Sequence, residues 1–368
     1  MKTLLLVTDA WRPQINGLVV ALQKMKELLE HRGFVVIIFH PGMVFNIALP
    51  LYSEIRLGLF SRRKLQHIID TARPDFIHIA TEGPLGFTAR SVCKRRRLRF
   101  TTSYHTHLQL YAHVRFKTFL GLVYGLLCRF HKVAHKTMVA TPGLKNALEA
   151  HDFRNLVLWP LGVDPALFKR NTSPPLPPLP KPVFTYFSRL APEKNPEEFL
   201  RLSLPGTKLV IGDGPDRARL EAKYASSAVF IGYKRGQDLV DWLSLSDVLV
   251  FPSRTETFGL VLLESLACGI PVAAHDVMGP RDIITHGVDG YLQDDLEEAA
   301  LACLDIPREA CRAKALQYSW EASAEAFIQN LVAACPFSRN PTSRRRCHHG
   351  RLSGLLFRRR GSGRMQGH

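Results

Sequence analysis

The stretch Phe251–Pro271, F-P-S-R-T-E-T-F-G-L-V-L-L-E-S-L-A-C-G-I-P, narrows the choice of fold more than any other part of the chain. Val248–Phe251 reads as a buried strand that breaks at Pro252. Ser253–Thr257 follows as a polar loop, and Phe258–Ala267 as an apolar helix that Gly269 suits as a C-terminal stop, with a further strand at Val272–Ala274. Two carboxylates fall inside this unit. Glu256 sits in the loop just before the helix, and Glu264 sits two turns into it among Leu262, Leu263 and Leu266. A glutamate on an apolar face is costly unless something pairs with it. For two arbitrary glutamates, an acid favouring the helix dipole plus one salt-bridged helix residue is a sufficient account. Here the strand, the tight loop, Phe258-Gly259 and the second acid occur together. Gly259 lets backbone N–H groups approach a ligand closely, and a helix N-terminus suits phosphate.

The same alternation runs through the whole chain. Residues 3–8 form an apolar strand, and the loop that follows contains Asn16-Gly17. An amphipathic helix is predicted from about Leu18 to His31, with Val20, Leu22, Met25 and Leu28-Leu29 as its core face. Strands are predicted near 35–40, 76–80, 99–103 and 138–140, and again at 183–187, 208–211 and 229–233, with a helix over 239–245. Strands alternating with helices imply an α/β fold built on parallel sheets. A length of 368 residues suits two domains. Thr172–Pro182 holds six prolines in eleven residues, so it is an extended, stiff segment near the domain boundary. The expected organisation is a first domain over 1–170, a linker over 171–182, a second domain over 183–318, a helix over 319–336 and a basic tail over 337–368.

Composition adds limits. Hydrophobic content of 46% with mean hydropathy near zero describes a soluble globular chain. Seven cysteines without paired spacing favour reduced thiols in a cytosolic compartment. The apolar run at Leu4–Val7 is too short for a signal peptide, and Asp9 interrupts it. The longest lipid-like run, Phe119–Cys128, is about half of what a spanning helix needs. Its flanks are basic (Arg115, Lys117, Arg129, His131, Lys132), which fits either a buried helix with solvated ends or one lying in a membrane surface. The formal charge is +17, and nine arginines with no acid lie from Arg339 onward. That tail lacks periodicity and reads as disordered. No RNA-binding motif or aromatic-basic interleaving is present, so a nucleic-acid partner is not expected.

Phe251–Pro271 resembles the E-x7-E signature of retaining GT-B glycosyltransferases of the family 4 type, with Glu256 and Glu264 as the two acids. The resemblance implies two Rossmann-like, doubly wound domains facing a cleft, with the last helix, about Trp320–Ala334, crossing back onto the first domain. It also implies that Glu256 and the backbone at Thr257, Phe258, Gly259 and Leu260 hold the donor sugar while Glu264 binds the ribose. Arg189 and Lys194 have the family's R-x4-K spacing, which neutralises a nucleotide diphosphate. Asn16-Gly17 stands where the family usually has Gly-Gly near the donor, Gly212 lies in a turn counted with the donor contacts, and Tyr233 lies near the point where the base is read. Tyr104-His105-Thr106 matches the family's Y-H-T, making His105 a donor-sugar contact and Tyr104 an acceptor-side neighbour. No such role passes to His107. The match at Glu82-Gly83 implies an acceptor-side contact.

Sugar transfer needs stabilisation of a diphosphate leaving group and of positive charge growing at the anomeric carbon. No D-x-D motif is present. Arg189, Lys194 and helix N-terminal amides can supply the charge instead, each donor contributing about 2–4 kcal/mol, so neither a metal nor another cofactor is expected for the leaving group. The catalytic set is then His105, Glu256, Arg189 and Lys194. Glu256 is not assigned as a covalent nucleophile, because the two-carboxylate scheme demands two acids flanking the bond. Within the family the chain resembles GDP-mannose-dependent α-mannosyltransferases and sulfoquinovosyl transferases. The implied activity is hexose transfer, preferably mannose from GDP-mannose, to a glycolipid or glycan. The alternatives are a UDP-sugar-dependent glucosyl or sulfoquinovosyl transferase, and a GT-B epimerase or nucleotide-sugar-binding protein without transfer. Lys94–Arg97 and the Phe119–Cys128 helix point to an anionic membrane surface as a partner, and so to a cytoplasmic protein peripheral on the inner face.

Overall fold

The computed structural model describes residues 1–14, 16–49, 52–105 and 120–334. The first half runs β1 (Lys2–Val7), α1 (Gly17–His31), β2 (Phe34–Phe39), β3 (Asn46–Leu49), β4 (Tyr52–Gly58), α2 (Arg62–Ala72), β5 (Phe76–Ile79), α3 (Pro84–Arg96), β6 (Thr101–Tyr104), α4 (Leu120–His131), β7 (Lys136–Val139), α5 (Pro142–Glu149) and β8 (Leu156–Leu158). The second half runs β9 (Val183–Phe187), α6 (Pro196–Arg201), β10 (Thr207–Ile211), α7 (Arg217–Tyr224), β11 (Val229–Gly232), α8 (Gly236–Ser244), β12 (Val248–Phe251), α9 (Leu260–Ala267), β13 (Val272–Ala274), α10 (Pro280–Ile283), β14 (Gly290–Leu292), α11 (Leu296–Ala302), α12 (Arg308–Ala315) and α13 (Trp320–Asn330).

Two six-stranded sheets result, ordered β2-β1-β5-β6-β7-β8 and β11-β10-β9-β12-β13-β14. Every strand pairing described in them is parallel. Parallel sheets carry helices on both faces, so their strands are apolar throughout. Leu4, Leu5, Leu6 and Val7 of β1 and Val248–Phe251 of β12 are accordingly buried on both sides. Strand order reverses between β1 and β5 in the first sheet and between β9 and β12 in the second. In open α/β sheets ligands bind beyond the strand C-termini at such points.

Most sequence-based elements lie within two or three residues of their expected bounds. Several strands go beyond that expectation. β3 and β4 pair antiparallel in a separate two-stranded sheet, and β8 and β14 hold only three residues each. So short a strand has no readable period. The core face of α1 also differs from expectation. Val19, Ala21, Leu22, Met25 and Leu29 are buried, whereas Val20 is 46% exposed. At 100° per residue Val20 lies about 200° round the helix from Leu22, off the buried stripe.

The proline-rich segment carries no helix or strand and lies against the second domain. The Asn171 N–H donates to the Ser244 hydroxyl (2.9 Å), and the Thr207 hydroxyl donates to the Pro180 carbonyl (2.7 Å). α13 returns to the first domain. The Trp159 indole donates to the Ser323 hydroxyl (3.1 Å), the Asn330 amide to the Leu158 carbonyl (2.9 Å), and the Ala334 N–H to the Asp75 carbonyl (2.7 Å).

Cys93, Cys128, Cys268, Cys303 and Cys311 are free thiols. No helix among the described residues is long and apolar enough to cross a membrane. α4 packs through Leu127, Phe130 and His131 and leaves Leu126 half exposed. Phe119 at the start of the lipid-like run, with Arg115 and Lys117 before it, lies outside the described residues. So do Thr106, His107 and the arginine tail.

Candidate active site

The strands that flank the reversal in the second sheet, β9 and β12, end side by side. The loops after them bring four charged groups to one edge. Lys194 Nζ pairs with Glu256 Oε2, and the Arg189 guanidinium pairs with Glu193. The Lys194 and Glu256 side chains are only 14% and 12% exposed, which strengthens the attraction relative to a surface pair. The Ser253 and Thr255 hydroxyls donate to the Glu193 carbonyl at 3.4 and 3.0 Å and stitch the two loops together. The loop after β10 supports them from beneath. A Cβ on Gly212, at φ +148°, would lie 2.0 Å from the Ser188 carbonyl oxygen, so only glycine permits this contact. The Leu190 N–H then donates to the Asp213 carbonyl at 2.9 Å. Gly212 therefore shapes the loop that carries Arg189.

α9 starts at Leu260, behind Gly259, with no side-chain cap. Its first-turn N–H groups thus face the same edge as the cations. Glu264, one turn further along, is half-buried, and burial raises its pKa to about 7. No hydrogen bond or ion pair engages its carboxyl among the described residues. An acid on an apolar face is expected to need a partner, and the described residues supply none.

The first domain meets this edge through the ends of β1 and β6. The start of α1 abuts the start of α9, since a Cβ on Gly17 would lie 3.5 Å from Leu260 Cδ1. Asn16 Oδ1 accepts from the Val19 N–H (2.9 Å) as the cap of α1, and its amide donates to Gln14 Oε1 (3.2 Å). After β6, the His105 carbonyl accepts the Thr257 hydroxyl at 2.6 Å, joining the two domains beside Glu256. The His105 ring lies edge-on to Trp159 at 5.1 Å. Burial lowers its pKa to about 3, and His131 adds to the effect, so the imidazole is neutral. Its Nε2 is buried with no hydrogen-bond partner among the described residues. No group of three or more His, Cys, Asp or Glu among the described residues is arranged to hold a metal.

Two family models match in tandem, "Glycosyltransferase Family 4" over residues 15–167 and "Glycosyl transferases group 1" over residues 169–304. The chain belongs to the family 4 glycosyltransferases. It is 27% identical to the GDP-mannose-dependent alpha-mannosyltransferase of Mycobacterium tuberculosis (strain CDC 1551 / Oshkosh), over 78% of this chain and 82% of that protein. It is 29% identical to the sulfoquinovosyl transferase SQD2 of Arabidopsis thaliana, over 74% of this chain and 59% of that protein. Among solved structures it is similar to sucrose-phosphate synthase from Thermosynechococcus elongatus, with a TM-score of 0.75 and 20% identity over 89% of this chain and 98% of that one. It is also similar to Anabaena HepE in complex with UDP and glucose, with a TM-score of 0.65 and 18% identity over 89% and 98%. At these identities the structures establish the GT-B fold.

The fold of this glycosyltransferase gathers Asn16, Gly17, His105, Arg189, Lys194, Gly212 and Glu256–Leu260 around one edge. Tyr233 follows β11 and is 44% exposed. The residues expected on the acceptor side are placed differently. Tyr104 is fully buried, its ring 5.9 Å from Phe153 and 5.7 Å from His131, so it supports the floor and has no surface to offer an acceptor. Glu82 Oε1 meets His131 Nε2 at 3.0 Å, and His131 Nδ1 meets the Thr102 hydroxyl at 2.9 Å, a chain closed off from solvent. Gly83 makes room for Asp9, since a Cβ there would lie 2.4 Å from Asp9 Cγ. Asp9 accepts from the Leu85 N–H (2.9 Å), the Gly86 N–H (3.2 Å) and the Thr81 hydroxyl (2.8 Å), anchoring the start of α3. Gly83→Ala is expected to lower stability by about 1–2 kcal/mol through overpacking, read as a shifted urea midpoint.

Sequence reasoning missed Asp9 and His131 as site residues. In the sequence Asp9 stands out only as the interruption of an apolar run, and His131 only as a basic flank. Their partners stand 29 to 77 residues away along the chain, so no local pattern announces the contacts.

Proposed function

We propose that this glycosyltransferase moves a hexose, preferably mannose from GDP-mannose, onto a glycolipid or glycan acceptor. The observation that carries the reading is the convergence of Arg189, Lys194, the uncapped start of α9 and the unpartnered Glu264 carboxyl at the reversal of the second sheet. Cations and helix N–H groups suit a diphosphate, and a carboxyl suits ribose hydroxyls. Glu193 and Glu256 occupy the two cations in this structure. A bound diphosphate exchanges with these carboxylates, leaving Glu256 to hold sugar hydroxyls and to stabilise positive charge at the anomeric carbon. Neutral His105 presents Nε2 to the sugar, while its carbonyl keeps Thr257 and the backbone after Glu256 in place. The cations and amides carry the leaving group without a metal, and the transfer retains the anomeric configuration.

The mannosyltransferase relative supports mannose as the sugar. A UDP-linked glucose or sulfoquinovose is the second reading, favoured by the similarity to SQD2 and by HepE having been solved with UDP. Lys94, Arg95 and Arg97 are exposed at the end of α3, whereas Arg96 pairs with Asp70, so three cations of that cluster face outward and suit an anionic membrane surface.

The test is nucleotide release from a panel of GDP- and UDP-sugars, with and without lipid acceptors. GDP release from GDP-mannose that requires acceptor is the expected result. Release from UDP-sugars alone moves the assignment to the second reading. Donor binding without release under any condition replaces transfer with epimerisation or simple binding.

A further inference from the structure

The segment that follows β13 belongs to the second domain and reaches the first. Asp282 Oδ1 accepts the Gly143 N–H at 2.8 Å, in the first turn of α5. The Thr141 hydroxyl caps the same helix by accepting the Leu144 N–H (3.1 Å). Each domain thus takes one of the N–H groups that a helix start leaves free, and the positive end of the helix suits a carboxylate. Gly143 has no room for a side chain, since a Cβ there would lie 2.6 Å from both Asp282 carboxyl oxygens. Met278, four residues earlier, packs against the first-domain cluster that contains Tyr104, Leu144 and Phe153.

The same segment backs the Glu256 loop. Gly279, at φ +91°, lies so close that a Cβ would stand 3.0 Å from both Glu256 Cβ and the Glu256 carbonyl oxygen. Gly259 closes in as well, its absent Cβ 3.3 Å from Glu256 Cγ. The Asp282 N–H donates to the Gly279 carbonyl at 3.1 Å, so the residue that touches the first domain and the residue that touches Glu256 share one turn. Asp282 Oδ2 is buried with no hydrogen-bond partner among the described residues. A buried carboxylate oxygen left unpaired is costly. An apolar side chain would fill the position without that cost, so packing does not account for an acid here. An acceptor for the Gly143 N–H does.

We infer that Asp282 is a positioning residue for sugar transfer. Its bond to the start of α5 fixes Gly279, and Gly279 holds the Glu256 loop in register with the first domain. Asp282 acts through that turn and not by contact with the sugar. The inference rests on the reading of Glu256 as the acid at the donor sugar.

Variants on both sides of the bond test it in the full chain. Gly143 lies inside α5 without a left-handed φ, and alanine favours a helix, so Gly143→Ala spares the first domain while its methyl group displaces Asp282. Asp282→Ala removes the acceptor, and Asp282→Asn keeps one. Amide hydrogen exchange over residues 253–260 reads the loop itself. Nucleotide release from GDP-mannose and UDP-glucose, with water or octyl α-mannoside as acceptor, reads turnover. Gly143→Ala and Asp282→Ala are each expected to speed exchange in the loop roughly 10-fold and to slow release roughly 10–100-fold, as loss of a bond to a charged group that holds the competent arrangement predicts. GDP and UDP affinity and the melting temperature should stay near wild type, because Arg189, Lys194 and the start of α9 all belong to the second domain. The double variant should be no slower than the slower single one, and Asp282→Asn should recover most of the rate. Unchanged exchange over 253–260 in both single variants overturns the inference whatever the activity. So does a loss of nucleotide affinity that matches the loss of rate, or an Asp282→Asn rate as low as that of Asp282→Ala. Glu256→Gln separates the two readings. If it slows release while the Asp282 and Gly143 variants do not, the positioning role fails and the reading of Glu256 stands. If Glu256→Gln releases nucleotide at the wild-type rate, the reading of Glu256 fails, and the inference with it.

Discussion

Arg189→Ala is expected to lower turnover by about 100-fold or more. A preorganised donor aimed at the leaving group contributes about 2–4 kcal/mol to the transition state, and a loss of ~3 kcal/mol is about two orders of magnitude in rate. The variant also leaves the Glu193 carboxylate, whose side chain is only 9% exposed, without its Arg189 partner, so the melting temperature is measured beside the rate to separate lost folding from lost turnover. Arg189→Lys should recover only part of the rate, since an ammonium lacks the planar fork. Lys194→Ala should be at least as damaging. It removes a cation and leaves Glu256, 12% exposed, beside the leaving group without its described ion-pair partner. Activity in excess chelator should match untreated enzyme. Complete loss in chelator, restored by Mg²⁺ or Mn²⁺, would show that a metal carries the diphosphate. A small rate effect of Arg189→Ala would show that other groups do.

What was legible in the sequence follows from the range of the interactions. Val248–Phe251, Pro252, Gly259 and Val272–Ala274 declare a strand, a loop, a helix and a strand through neighbours in the chain, and the structure has them within two residues of those bounds. Arg189 and Lys194 were legible as a spaced pair of cations after a strand. The partners they take were not, because Glu256 reaches Lys194 only once β9 and β12 lie side by side. The first domain shows the opposite case. Glu82 and Gly83 looked like surface offered to an acceptor, yet tertiary contacts engage them with His131 and Asp9. The hairpin β3–β4 escaped notice because the sequences of Asn46–Leu49 and Tyr52–Gly58 show no strict alternation of apolar and polar residues.

Glu264→Gln is expected to make the protein more stable at alkaline pH and a poorer binder of donor. Burial raises the Glu264 pKa from an ordinary 4.5 to about 7. A carboxyl whose folded-state pKa is raised contributes stability that is fully present below the unfolded value and is lost as pH rises through the folded one. Between about pH 4.5 and 7 this group alone therefore removes up to about 3 kcal/mol, since each pH unit separating the two pKa values is worth ~1.4 kcal/mol. Glutamine lacks that slope, though its buried amide costs about 1–2 kcal/mol of its own. The net gain at pH 8 is then about 1–2 kcal/mol, and at pH 5 the variant should be no more stable than wild type. Urea midpoints at the two pH values measure this. Donor affinity should move the other way, falling about 10-fold or more, because a carboxylate accepts ribose hydroxyls more strongly than an amide does. Glu256→Gln, by contrast, should leave donor affinity near wild type and reduce turnover. Glu264→Gln that destabilises equally at both pH values would show that a partner already neutralises the carboxylate. Unchanged donor affinity would remove it from the ribose site. A variant that is tighter folded and weaker binding is the outcome expected of an acid kept on an apolar helix face for a ligand to engage.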